Sequence, residues 1–89
     1  MTIERWQTFS KHNQLLNIGS AIMRASNWQD KDKEKFLMAV EEALKLLELS
    51  KEDPKWEARL YALDYLRIQI EKFKRAERKD NIKILYQVL

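Results

Sequence analysis

The sequence predicts an all-α protein, a small up-down-up helical bundle of three main helices with a short C-terminal helix. Three observations carry that prediction. One glycine and one proline in 89 residues are too few for the many turns of an all-β domain. Leu, Ala, Glu and Lys, all strong helix formers, are abundant. Apolar residues recur three and four positions apart through three long segments. A chain of this length forms one domain, residues 1–89, whose core hides roughly two-thirds of the surface its unfolded form exposes.

After a short lead containing Trp6 and Phe9, Ser10 is suited to cap a helix that runs to Asn27 or Trp28. Leu15, Leu16, Ile18, Ile22 and Met23 surround an arc centred on Gly19 and Ser26, while Asn13, Asn17, Ser20 and Arg24 lie opposite. Glycine in a helix interior costs about 1 kcal/mol relative to alanine. Its place in the middle of the apolar arc predicts that Gly19, with Ser26, admits a neighbouring helix unusually close. A ligand slot beside Leu15, Gly19 and Met23 is the rival explanation.

The polar stretch "QDKDKEK" is the next connection, with Asp30 or Asp32 as cap for a second helix over Lys31–Leu49. Phe36, Val40, Ala43, Leu44 and Leu47 form its buried face, widened by Leu37, Ala39 and Leu46; Glu41, Lys45 and Glu48 form the wet side. Asp53 and Pro54 then mark the clearest boundary, since proline at a first helical position lacks only an N–H that has no partner anyway. The third helix is predicted from there to Arg78, burying Trp56, Leu60, Leu63, Leu66, Ile70 and Phe73. Antiparallel packing puts Trp56 at the end of the bundle that holds Trp6, and Trp28 with Phe73 at the other.

The third helix has a second apolar face, Tyr61, Tyr65 and Ile68, with the spacing of a helix-docking surface. The tail "KDNIKILYQVL", capped by Asp80, can fold back over that face through Ile82, Leu85, Val88 and Leu89. It can also continue the third helix, pair as a strand, or leave the face to a second copy. The interaction surface is therefore assigned to Tyr61, Tyr65, Ile68, Leu85, Tyr86 and Leu89, and the expected partner is a second copy in a homodimer or another protein.

The net charge is +3 and its signs are interleaved, except in "KFKRAERK". There Lys72, Lys74, Arg75, Arg78 and Lys79 outweigh Glu77, which suits either a solvated helix end or contact with nucleic-acid phosphates, the alternative function. Cysteine is absent, which removes disulfides and thiolate zinc sites and accords with a reducing compartment. The start "MTIERWQTF" has no signal-peptide core and no run approaches the roughly 20 apolar residues of a membrane span. A cytoplasmic protein with no membrane association is expected.

His12, the only histidine, lies at the edge of the first helix's apolar face with no partner nearby in sequence for acid–base or metal chemistry. It is expected to be packed or cap-bonded. Glu41, Glu42 and Glu48 lack the Glu-x-x-His spacing of a di-metal bundle, and phosphate loops and nucleophile elbows are absent. No catalytic residues, metal or cofactor are expected.

"FSKHNQLLNIGSAIMRASNW" followed by "AVEEALKLLELSKEDPKW", about residues 9–56, resembles an uncharacterised small prokaryotic all-helical family with a similar "NIGS…RA..W" helix and "DPKW" turn. Members often carry a glutamate after "NIGS" where this chain has Ala21, so no role passes to that position. The resemblance implies a shared helical fold and no activity. Taken together, these readings describe a non-catalytic interaction module that self-associates.

Overall fold

Thr2, Ser10, Asp32 and Asp53 each turn a side-chain oxygen onto a backbone N–H two or three residues ahead, and each starts an element. The computed structural model describes residues 1–89, which are mostly helical and contain no strand. The elements are α1 (Ile3–Gln7), α2 (Lys11–Trp28), α3 (Lys33–Lys51), a 3-10 turn (Pro54–Arg59), α4 (Leu60–Lys74) and a C-terminal 3-10 segment (Ile82–Val88), called here the tail. All-α architecture follows directly.

The predicted lead is thus a short helix, and it buries Trp6 completely. α2 and α3 form an antiparallel hairpin with the largest interface in the molecule. α2 buries Gln14, Ile18, Gly19, Ala21, Ile22 and Ala25, whereas Leu16 and Met23, expected on that face, are exposed. The predicted apolar arc was rotated, because a buried glutamine rather than a leucine continues the stripe toward the N-terminus. α3 buries the face predicted for it, with Leu37 and Leu44 at its margins.

The third helical segment departs from expectation at both ends. Pro54–Arg59 is 3-10 rather than α, so the register shifts and Leu60 falls outside the buried stripe. α4 then stops at Lys74, not Arg78. The stop is a Schellman turn: Glu77 N–H donates to the Lys72 carbonyl at 2.8 Å and Ala76 N–H to the Phe73 carbonyl at 3.1 Å. Ala76 sits there at φ 59°, the left-handed conformation that glycine usually supplies. Ala76→Gly is expected to stabilise the fold by about 1 kcal/mol, a rise of roughly 4–8 °C in Tm by thermal circular dichroism. An unchanged or lower Tm would contradict this strain.

The turn sends the tail back along α2, not over the second face of α4. Its cap is Asn81 rather than Asp80, which pairs with Arg78 instead. Gln29 clamps the tail's start, its Nε2 donating to the Asp80 carbonyl at 2.8 Å and its Oε1 accepting from Ile82 N–H at 2.7 Å. Ile82 and Leu85 are buried in the core beside α2. α3 therefore carries α2 on one side and α4 on another, and the tail closes the bundle between α2 and α4. The Cα radius of gyration of 12.6 Å is close to the ~12 Å of a compact chain of this length, as a folded-back tail requires.

Candidate functional site: an apolar groove between α4 and the tail

Gly19 explains how the tail is seated. A Cβ on this residue would lie 2.7 Å from Tyr86 Cε2 and 3.2 Å from Leu89 Cδ1, so the missing side chain is a notch filled by the tail. The sequence predicts that a neighbouring helix comes close at Gly19, and that neighbour is the short 3-10 tail. The tail's aromatic ring and terminal leucine take that place, and the slot beside Leu15, Gly19 and Met23 is consequently not open. Ser26, two turns along, donates from Oγ to Asn81 Oδ1 at 2.7 Å and fixes the tail's other end.

A seated tail and α4 together make an apolar groove of about 340 Å³. Tyr61 and Tyr65 come from α4, Val88 and Leu89 from the tail, and Leu15 and Trp56 help line it. Arg59 is its one charged lining residue. Tyr61 is 73% exposed and Tyr65 49%, so both rings stand largely in solvent beside the groove. Ile68, 42% exposed, extends the same helix face beyond it.

Of the six predicted interaction residues, Tyr61, Tyr65 and Leu89 thus meet at the groove. Two others do not. Leu85 is 2% exposed and belongs to the core, while the Tyr86 ring covers Gly19 and remains about half exposed. The expectation that the tail hides Tyr61, Tyr65 and Ile68 is overturned, because the tail's buried residues point to α2, where glycine leaves room.

The basic cluster is largely engaged within the chain. Lys74 pairs with Glu41 across to α3, and Arg75 Nε donates to Glu77 Oε2 at 2.6 Å, which holds the Arg75 pKa above its ordinary value. Arg78 folds back over the Phe73 ring, 4.6 Å from its centroid, donates to Gln69 Oε1 at 2.9 Å and grips Asp80. Hydrogen bonding from Arg78 outweighs desolvation and keeps the Asp80 carboxyl below its ordinary value. Lys72 and Lys79 have no carboxylate partner.

Behind the groove lies a buried polar network that no sequence pattern announced. Gln14, fully buried on α2, donates from Nε2 to the Trp6 carbonyl at 2.9 Å and to Asp53 Oδ2 at 2.8 Å, and accepts on Oε1 from Trp56 Nε1 at 2.6 Å. Trp6 Nε1 donates to Ser50 Oγ at 3.0 Å, and Ser50 passes its own hydrogen to the Leu46 carbonyl. Lys55 completes the set through Asp53 Oδ2 and the Gln7 carbonyl. The two tryptophans therefore share one end of the bundle, as predicted, and a glutamine joins them. Trp28, expected beside Phe73, is half-buried with the Lys35 ammonium 4.3 Å over its ring.

Burial of the Asp53 carboxyl acts to raise its pKa, but hydrogen bonds from Gln14 and Lys55 and the Lys55 charge outweigh burial and hold it below 3.8. A carboxyl depressed in this way adds stability that is complete above the unfolded value and disappears as pH falls through the lower folded value. Thermal melts should therefore show Tm falling below about pH 4, and Asp53→Asn should flatten that fall. An acid limb identical in the wild type and Asp53→Asn would contradict the assignment.

His12 is exposed on the first turn of α2 and makes no side-chain hydrogen bond, contrary to the expected packed or cap-bonded state. Glu41, Glu42 and Glu48 are exposed, as predicted for a wet face, and Glu41 is paired with Lys74. No group of three or more His, Cys, Asp or Glu side chains is placed to hold a metal, and no helix is long and apolar enough to cross a membrane. Comparison with protein-family models, with curated proteins and with solved structures returns no match, so the likeness in the "NIGS" and "DPKW" stretches brings no activity with it.

Proposed function

We propose that this protein is a non-catalytic protein–protein interaction module that self-associates through the groove between α4 and the tail. The observation that carries the reading is the pairing of an apolar groove with two exposed tyrosines on its rim. An exposed apolar patch marks an interaction surface more often than a random one, and tyrosine supplies large contact area at low entropic cost. Because ridge and groove lie side by side, a two-fold arrangement lets the ridge of each copy enter the groove of the other. The groove's one charge, Arg59, has no ion-pair partner in the chain and is left for the rim of such an interface.

Light scattering at micromolar concentration should give the mass of a dimer. Tyr65→Glu, which places a charge on the rim without touching the core, should weaken that dimer at least about tenfold and leave Tm nearly unchanged. A monodisperse monomer, insensitive to the substitution, would remove the reading. Nucleic-acid contact through Lys72, Lys74, Arg75, Arg78 and Lys79 is less favoured because Lys74, Arg75 and Arg78 already have carboxylate partners. Its mark would be binding of labelled duplex that weakens steeply with salt.

A further inference from the structure

The joint between α4 and the tail is composed of helix formers but is not helical. Arg75, Ala76, Glu77, Arg78 and Lys79 include no glycine, proline or β-branched residue. The chain nonetheless leaves the helix after Lys74 through a left-handed alanine. Local preference and the closed fold disagree here, which is how two competing packings of one sequence arise.

We propose that this chain exchanges its tail with a second copy: α4 continues as helix through residues 75–79, and each tail docks over Gly19 of the other chain. The proposal rests on the self-association reading above and specifies how the two copies hold each other. Exchange preserves what seats the tail, namely the Gln29 clamp, the Ser26–Asn81 hydrogen bond, the burial of Ile82 and Leu85, and the filling of the Gly19 notch. Those contacts cancel between the closed and exchanged forms. The difference then lies in the joint, in the loss of association entropy, and in whatever the two copies bury together.

At the joint, exchange releases Ala76 from φ 59° and replaces the two Schellman-turn hydrogen bonds by helical ones, while it gives up the pairs Arg75–Glu77 and Arg78–Asp80 and the Arg78 contacts with Gln69 and the Phe73 ring. Tyr61, Tyr65 and Ile68, uncovered in the single chain, are the apolar surface that the two copies have left to bury. Five more helical residues carry the tail's start roughly 7–8 Å farther along the axis of α4. With only Asp80 and Asn81 left to lead back to the tail, the vacated notch is assigned to the other copy's tail.

The chain contains no cysteine, which permits a clean test. The double variant Ser26→Cys/Asn81→Cys is concentrated, then treated with a short bis-maleimide, and its mass is read under denaturing conditions. Exchange predicts chain-to-chain cross-linked dimer that grows with protein concentration. Adding Ala76→Gly, which favours the left-handed turn and disfavours helix, should cut that dimer about tenfold or more. Cross-links confined within single chains, while light scattering still finds a dimer, would overturn exchange and leave groove-mediated association standing. Intrachain cross-links with a monomeric mass would overturn both. The unaltered chain gives an independent reading: Cα chemical shifts of residues 75–79 should move toward helical values as concentration rises, and shifts that stay fixed while dimer forms would overturn the proposal.

Discussion

Gln14→Leu is expected to destabilise the fold by about 3–4 kcal/mol, although leucine is apolar and of similar size. The substitution removes three hydrogen bonds at once, leaving the Trp56 indole N–H without a partner, the Trp6 carbonyl with only the Phe9 N–H, and the buried Asp53 carboxylate with only Lys55. Each buried polar group left unpaired costs about 1–3 kcal/mol, more for a charged one. Against a total of roughly 5–13 kcal/mol for a chain of this length, the loss is a large fraction. Urea denaturation followed by tryptophan fluorescence measures it, since Trp6 and Trp56 are both in the network. A cost below about 1 kcal/mol would show that the network is replaceable by packing.

A chain ending at Lys79 is expected to lose cooperative folding or to aggregate. Ile82 and Leu85 are each almost fully buried, and full burial of such a side chain contributes about 1.5–3 kcal/mol. Their removal also uncovers the α2 stripe at Ile18, Gly19 and Ile22, which adds apolar surface open to solvent. Sedimentation velocity together with binding of a hydrophobic dye detects either outcome. A soluble, cooperatively melting truncated chain that binds no dye would mean that the tail is an accessory rather than the closing wall of the bundle.

How much of this was legible in the sequence depends on the range of the interaction. Ser10, Asp32 and Asp53 announce their elements because capping is settled within three residues. The buried face of α3 is likewise legible, since periodicity fixes it. Gln14 was not, because a glutamine at the end of the polar run Lys11, His12, Asn13 says nothing of the two tryptophans and the aspartate that satisfy it from 8, 42 and 39 positions away. Its one available signal was position, four residues before Ile18 on the stripe that continues through Ile22 and Ala25.

Gly19 and Ser26 marked where something packs closely but not what. Two remote facts decided that: Tyr86 and Leu89 of the tail lie against Gly19, and Ala76 adopts the left-handed turn that aims the tail there. Neither is a property of local sequence, for "RAERK" reads as helix. The candidate site was legible from one side only. Tyr61 and Tyr65 stood out on the second face of α4, whereas the groove beside them exists because Val88 and Leu89 arrive from the opposite direction.

Both the fold and the groove require that the tail lie on α2 and leave the tyrosine face of α4 open. Nuclear Overhauser contacts of the Tyr86 ring test this most directly. Cross-peaks from its Hδ and Hε protons to the Gly19 Hα protons, with those Hα resonances displaced by the ring current, are the predicted result. Cross-peaks from the same ring to Tyr61, Tyr65 or Ile68, with none to Gly19, would put the tail on the other helix and contradict both the fold and the groove.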